Sequence, residues 1–165
     1  MARLYTSRFS NKELETGNYM VISIARSMPR FPVKYRIAGT IVQLAPPGFL
    51  WNENDIEKFK EPYFKHVEKA GYPLIGGLIR AYLDMGKDVV LCCYEDVRKP
   101  NEWCHRLVFA EWWNEKTGWV IEELTDPSST PADKSKRVTR EEKEPYEQLS
   151  FMSDLNKAMY PHYTT

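Results

Sequence analysis

Two apolar runs constrain this chain more than any other feature. "YMVISIAR" (Tyr19 to Arg26) and "DVVLCCY" (Asp88 to Tyr94) are apolar or β-branched at almost every position. A strand with one wet face alternates apolar and polar residues. Runs this continuous are therefore strands covered on both faces, the pattern of a mostly parallel sheet. "RLYTSRF" (Arg3 to Phe9) alternates loosely as a first strand, and "IAGTIVQL" (Ile37 to Leu44) resumes a strand pattern after Pro29 and Pro32. "WVIEEL" (Trp119 to Leu124) closes the series.

Helical stripes fill the gaps. Ile56, Phe59, Phe64 and Val67 recur at helical spacing, with Pro62 expected to kink that helix and Gly71 to stop it. Pro73 suits a first turn, and Leu74, Leu78, Ile79, Tyr82 and Leu83 form a second stripe ending at Gly86. "WCHRLVFAEWWNEKTG" reads as a third helix that starts near Trp103 and stops at Gly118. The expected fold over residues 1–124 is a Rossmann-like three-layer α/β domain. Residues 125–145 lose their apolar side chains and read as a polar linker. Leu149, Met152, Leu155 and Met159 then mark a C-terminal amphipathic helix over 146–165, either docked on the domain or used as a homodimer or protein-partner contact.

Charge disfavours nucleic-acid binding, for which only a local patch could suffice. The 165 residues carry 23 basic and 23 acidic side chains, so no global field favours nucleic acid or anionic membranes, and any anion site must be local. The first residues lack the apolar core of a secretory signal and no run is long enough for a membrane span, so no membrane is expected. Three cysteines, two of them adjacent, make a poor disulfide framework and suit a reducing, cytoplasmic setting.

All three cysteines fall in "CCYEDVRKPNEWCHR" (Cys92 to Arg106). A zinc site is disfavoured on spacing. Cys92 and Cys93 point to opposite faces of a strand, and Cys104 and His105 are turned apart by about a hundred degrees if both are helical. Neither a metal nor another cofactor is expected. A ligand edge fits better: Cys93 and Glu95 end a parallel strand, Cys104, His105 and Arg106 begin the next helix, and both lie at the carboxyl edge where open α/β sheets bind ligands. The helix start and the Arg106 guanidinium suit an anion. Cys104 there is either a reactive thiolate or a small buried residue, and His105 either a proton-transfer group or a partner of Glu95.

Thr6, Ser7 and Arg8 end the first strand and Arg26 the second, so they are candidates for the same edge. Arg30, Lys34 and Arg36, with Phe31 and Tyr35 between, extend a basic and aromatic loop that either holds a phosphorylated ligand or is solvated opposite the acidic helix over 52–70. No dinucleotide, P-loop, zincin or nucleophile-elbow motif is present.

The strand ending in Cys93-x-Glu95, the loop, and Cys104-His105-Arg106 leading a helix resemble the signature of the domain of unknown function 488 family. "LYTSRFS" is similar to that family's first strand, and the resemblance runs to about Leu124. It departs at the second strand, where Ile24 stands at the place of the family's Asp. The resemblance implies a Rossmann-like domain and no particular reaction.

The functional expectation is a pocket that binds a phosphorylated, nucleotide-derived small molecule, with hydrolysis as a further capacity. Glu95, Cys104 and His105 are its catalytic candidates, and Thr6, Ser7, Arg8, Arg26, Arg30, Cys93 and Arg106 its ligand-binding candidates. The alternatives are a non-catalytic, ligand-sequestering regulatory protein and a cysteine-dependent enzyme.

Overall fold

The structure, a computed structural model, describes residues 1–129. The helix expected over 146–165 and most of the expected linker lie outside the described residues. Five strands, β1 (Leu4–Arg8), β2 (Tyr19–Ser23), β3 (Ile37–Thr40), β4 (Asp88–Cys93) and β5 (Glu122–Glu123), form one sheet in the order β3-β2-β4-β1-β5. Every pairing is parallel. Helices α1 (Ile56–Ala70) and α2 (Tyr72–Leu83) connect β3 to β4, and α3 (His105–Thr117) connects β4 to β5. This is the Rossmann-like three-layer α/β architecture that the two apolar runs require.

Those runs form the interior. Val21, Ile22, Val89, Val90 and Leu91 are buried, as expected for central strands covered on both faces. The α1 and α3 connections step across the sheet in one direction, and right-handed crossovers put both on one face. The connections that step the other way carry only loops and the 3-10 turn Lys12–Thr16, whose buried Leu14 helps to cover the opposite face.

Local chemistry explains the boundaries. β2 stops at Ser23, where the serine Oγ accepts from the Ala25 backbone N–H at 3.3 Å, a local bond that competes with the ladder. β3 ends at Thr40 rather than Leu44 because Val42–Leu44 coil into a 3-10 turn, and the Leu44 carbonyl accepts from the Tyr63 hydroxyl at 2.7 Å. Asp55 caps α1 by accepting from Glu57 N–H at 3.0 Å, and the helix continues through Pro62. Its buried stripe is Phe59, Tyr63 and Val67. In α2 the buried residues are Ile75 and Ile79, while Leu74, expected inside, is exposed. α3 ends at Gly118, whose φ of 72° is left-handed and favours glycine. Trp112 of α3 packs inside, its ring N–H donating to Glu68 at 3.0 Å.

The topology also fixes where a ligand can enter. β2 and β4 are neighbours, but the chain leaves β2 toward β3 at one side and leaves β4 toward β5 at the other. Connections that diverge in this way open a crevice beyond the carboxyl ends of the two strands.

The carboxyl end of β1, by contrast, is closed. Arg8 Nε donates to Asp126 at 2.7 Å, Asn11 donates to the Thr125 carbonyl at 3.2 Å, and Arg98 forks onto Asp96 with both contacts at 2.9 Å. Residues 125–128, expected to start a free linker, are instead strapped over this end because their carboxylate and carbonyls satisfy the arginines. Burial acts to raise the Asp96 and Asp126 carboxyls, but Arg98 for the first and Arg8 for the second hold them below the ordinary carboxylate range. A folded-state pKa below the unfolded value of about 3.9 gives stability that is present above that pH and lost as pH falls through the folded value. Asp126→Asn is therefore expected to lower the urea midpoint at neutral pH and to have a much smaller effect at about pH 3. An equal loss at both pH values would separate the strap from this titration.

Candidate active site at the β2–β4 crevice

A cavity of about 470 Å³ occupies the crevice, within the range of small-molecule sites. Cys93 and Glu95 reach it from the end of β4, Cys104 and His105 from the start of α3, and Arg26 from the end of β2. Four of these five carry the Cys-x-Glu and Cys-His part of the sequence signature.

The way the chain enters α3 brings the soft donors together. Cys104 is not helical: it is the N-cap, with φ −141° and ψ 148°. The helix starts at His105 rather than near Trp103, and the hundred-degree separation expected of two helical neighbours does not apply. Cys93, Cys104 and His105 present ligand atoms that all lie within 4.8 Å of one another. His105 Nδ1 is 3.6 Å from Cys93 Sγ and 3.7 Å from Cys104 Sγ. The other ring nitrogen, Nε2, donates to the Ile24 carbonyl at 2.8 Å, so His105 is tied to the end of β2 rather than to Glu95. Thus the geometric objection to a metal cluster fails for these three residues. It holds for Cys92, which lies on the opposite face of β4 and is outside the cluster.

The electrostatics follow from burial and crowding. Burial acts to raise the Cys104 thiol, but a hydrogen bond from Cys93 and the charges of Arg106 and His105 bring it well below the usual range. The hydrogen bond to Cys104, then burial, pushes Cys93 up. Burial works against the His105 cation, yet the Cys104 charge and the Ile24 carbonyl raise its pKa. Glu95 lines the cavity mouth, where desolvation of its carboxyl and then the Cys104 charge push it up to about 7.

Several expected ligand contacts are elsewhere. Arg106 is fully buried: its Nε and Nη2 fork onto Glu123, with Nη2 to Oε1 at 2.7 Å, and Nη2 also donates to the Glu95 carbonyl at 2.8 Å. Its Nε and Nη2 are satisfied inside the fold, Nη1 is buried without a partner, and the side chain does not line the cavity, so in this structure it positions the loop that carries Glu95. Thr6 is buried and donates to the same Glu123 at 2.7 Å. Ser7 donates to the Arg8 carbonyl and accepts from Asn11, and Arg8 is held by Asp96 and Asp126. None of Thr6, Ser7 and Arg8 lines the cavity, because the 125–128 strap covers the end of β1. Arg30 is exposed and also outside it. Tyr35 donates inward to the Phe9 carbonyl at 2.6 Å, and Phe31 packs edge-on against Tyr94, which divides the basic and aromatic loop.

The structure adds an aromatic wall that the sequence did not signal. Arg26 lies 4.1 Å over the Trp51 ring, and Tyr94, Phe59 and Trp103 complete the wall. Trp51 follows "APPGF", which marks a break in the strand pattern and says nothing about facing a site 25 positions away in sequence.

Fold and site together define an open, all-parallel α/β domain with a cavity at its topological switch point. Comparisons of the chain with protein-family models, with curated proteins and with solved structures give no match. Among the described residues no helix is long and apolar enough to cross a membrane.

The Arg106–Glu123 fork gives a direct stability test. Glu123→Gln leaves the buried Arg106 charge without its counterion, and because the carboxylate is solvent-exposed the cost is about 2 kcal/mol, below that of a fully buried pair. Thr6→Val, which deletes only a neutral donor to that carboxylate, should cost about 1 kcal/mol. Urea denaturation of the two variants checks the order, and near-equal effects would contradict it.

Proposed function

We propose that the chain is an enzyme that binds a nucleotide-derived small molecule in the β2–β4 cavity and hydrolyses it, and that it belongs with the family its Cys-x-Glu and Cys-His-Arg residues resemble. The observation that supports this most is the convergence of a carboxyl, a histidine and two thiols on one cavity, from the end of β4 and the start of α3. A binding pocket needs complementary surface. It does not need three buried titratable side chains packed within 4.8 Å of one another and a fourth on the same lining.

The wall suits the ligand class. A planar ring stacks on Tyr94 or Trp103, and Arg26 covers a face of Trp51 and is the one arginine or lysine among the described residues on the lining, so the cavity suits a ligand with one anionic group better than a polyphosphate. Arg106 is not on the lining. The carboxylates Glu53 and Glu102, also on the lining, favour hydroxyl or amino donors on the rest of the ligand.

Glu95 is the residue assigned to proton transfer: it takes a proton from water and returns it to the leaving group, so that one bond of the ligand is replaced by a bond to water oxygen. Glu95→Gln keeps the size and hydrogen-bonding capacity of the side chain but cannot carry that proton. Incubating the protein with a nucleotide-rich cell extract, then comparing bound and free small molecules by mass spectrometry, tests the assignment. The expected result is one depleted compound and one matching new mass with the native chain. With Glu95→Gln, turnover should fall at least about 100-fold while the same compound is recovered bound. A compound recovered intact from both proteins would replace the enzyme reading with ligand sequestration.

A further inference from the structure

We infer that Cys93, Cys104 and His105 are three ligands of a single tetrahedral zinc ion whose fourth position faces the cavity. The geometry of the donors carries the inference. Around zinc, thiolate sulfur lies at about 2.3 Å and imidazole nitrogen at about 2.0–2.1 Å, so two such ligands of one tetrahedron are separated by about 3.6 Å. The two sulfur-to-Nδ1 separations here are 3.6 and 3.7 Å. All three side chains are buried, and they come from the end of a central strand and the first residues of a helix, so the spacing is held by the fold.

The hydrogen bonding around His105 points the same way. The Ile24 carbonyl can only accept, so the hydrogen between it and His105 belongs to Nε2. Metal binding requires the neutral ring, and in that form the Nδ1 lone pair is directed at both sulfurs. That lone pair and two thiolates can share one cation. A backbone carbonyl that fixes the far nitrogen is also the usual support of a metal-bound histidine.

The donor set selects the ion. Two thiolates and an imidazole are soft to borderline ligands, which favour zinc over magnesium or calcium. Three protein ligands leave a position for water or substrate, the arrangement of catalytic rather than structural zinc. Glu95 is outside the three-donor cluster but interacts with Cys104 and His105 and lines the same cavity. It stands beside the open position rather than in the ligand set. The metal site depends only on the three side chains, whereas its use in hydrolysis rests on the cavity reading above.

Metal analysis of the full chain, purified without a histidine tag or chelator, tests the site. About one zinc ion per chain is expected. After removal of that zinc, addition of cobalt chloride should give the visible absorption of tetrahedral cobalt and a near-ultraviolet thiolate charge-transfer band. Loss of a supporting residue around a metal weakens binding about 10–100-fold, so Cys104→Ser and His105→Ala, which remove ligands, should weaken it at least about 100-fold. Cys92→Ala and Glu95→Gln should keep the cobalt spectrum. Retention of metal by Glu95→Gln with loss of turnover would support both readings, and retention with unchanged turnover would remove the hydrolytic one alone. Zinc should also protect Cys93 and Cys104 of the native chain from alkylation, a readout that does not depend on any variant folding. A folded native chain with no stoichiometric zinc, no cobalt–thiolate band and no zinc protection would overturn the site. Rapid alkylation of Cys104 under those conditions would instead make it a free thiolate nucleophile.

Discussion

The arrangement at the carboxyl edge depends on one hydrogen bond, from His105 Nε2 to the Ile24 carbonyl. It joins the first residue of α3 to the chain leaving β2, across the crevice that the strand order opens. With the ring held there, Cys104 must enter the helix in an extended conformation, and its sulfur turns toward Cys93 instead of away from it. Two sulfurs and a nitrogen then share one point. Against the effect of burial, their contacts bring Cys104 down and His105 up, the bond to Cys104 raises Cys93, and burial followed by the Cys104 charge raises Glu95.

A second constraint lies beneath the first. Arg106 is the next residue in α3, and its fork to Glu123 links the helix start to the closing strand, while its bond to the Glu95 carbonyl fixes the loop after β4. One buried cation therefore sets the relative position of three segments. It also contributes positive charge near Cys104 without facing the ligand. The adjacent residues divide the work: His105 serves the cavity and Arg106 serves the frame.

Much of the fold was legible because its strongest signals are long and periodic. The apolar continuity of residues 88–93 and the caps at Asp55 and Gly118 reflect local physics that tertiary contacts did not override. Strand ends were less legible, since Ser23 and the 42–44 turn end their ladders through local side-chain and backbone bonds. The site was half legible. Cys93, Glu95, Cys104 and His105 could be gathered from the strand–loop–helix order, but Arg106, Thr6 and Arg8 could not be told from ligand-binding groups because Glu123 and Asp126 lie far away in sequence. Trp51 was invisible for the same reason. The spacing of Cys104 and His105 separates their side chains only if both are helical, and one extended residue at Cys104 brings them together.

The central claim is that this extended entry into α3 brings Cys93, Cys104 and His105 to one point at the mouth of the switch-point cavity. A crystal structure of the full chain tests it most directly. The account predicts Cys104 in extended backbone, both sulfurs within about 4 Å of His105 Nδ1, and Nε2 on the Ile24 carbonyl. A helical Cys104 with its sulfur turned away from Cys93, or a His105 ring released from Ile24, would contradict it.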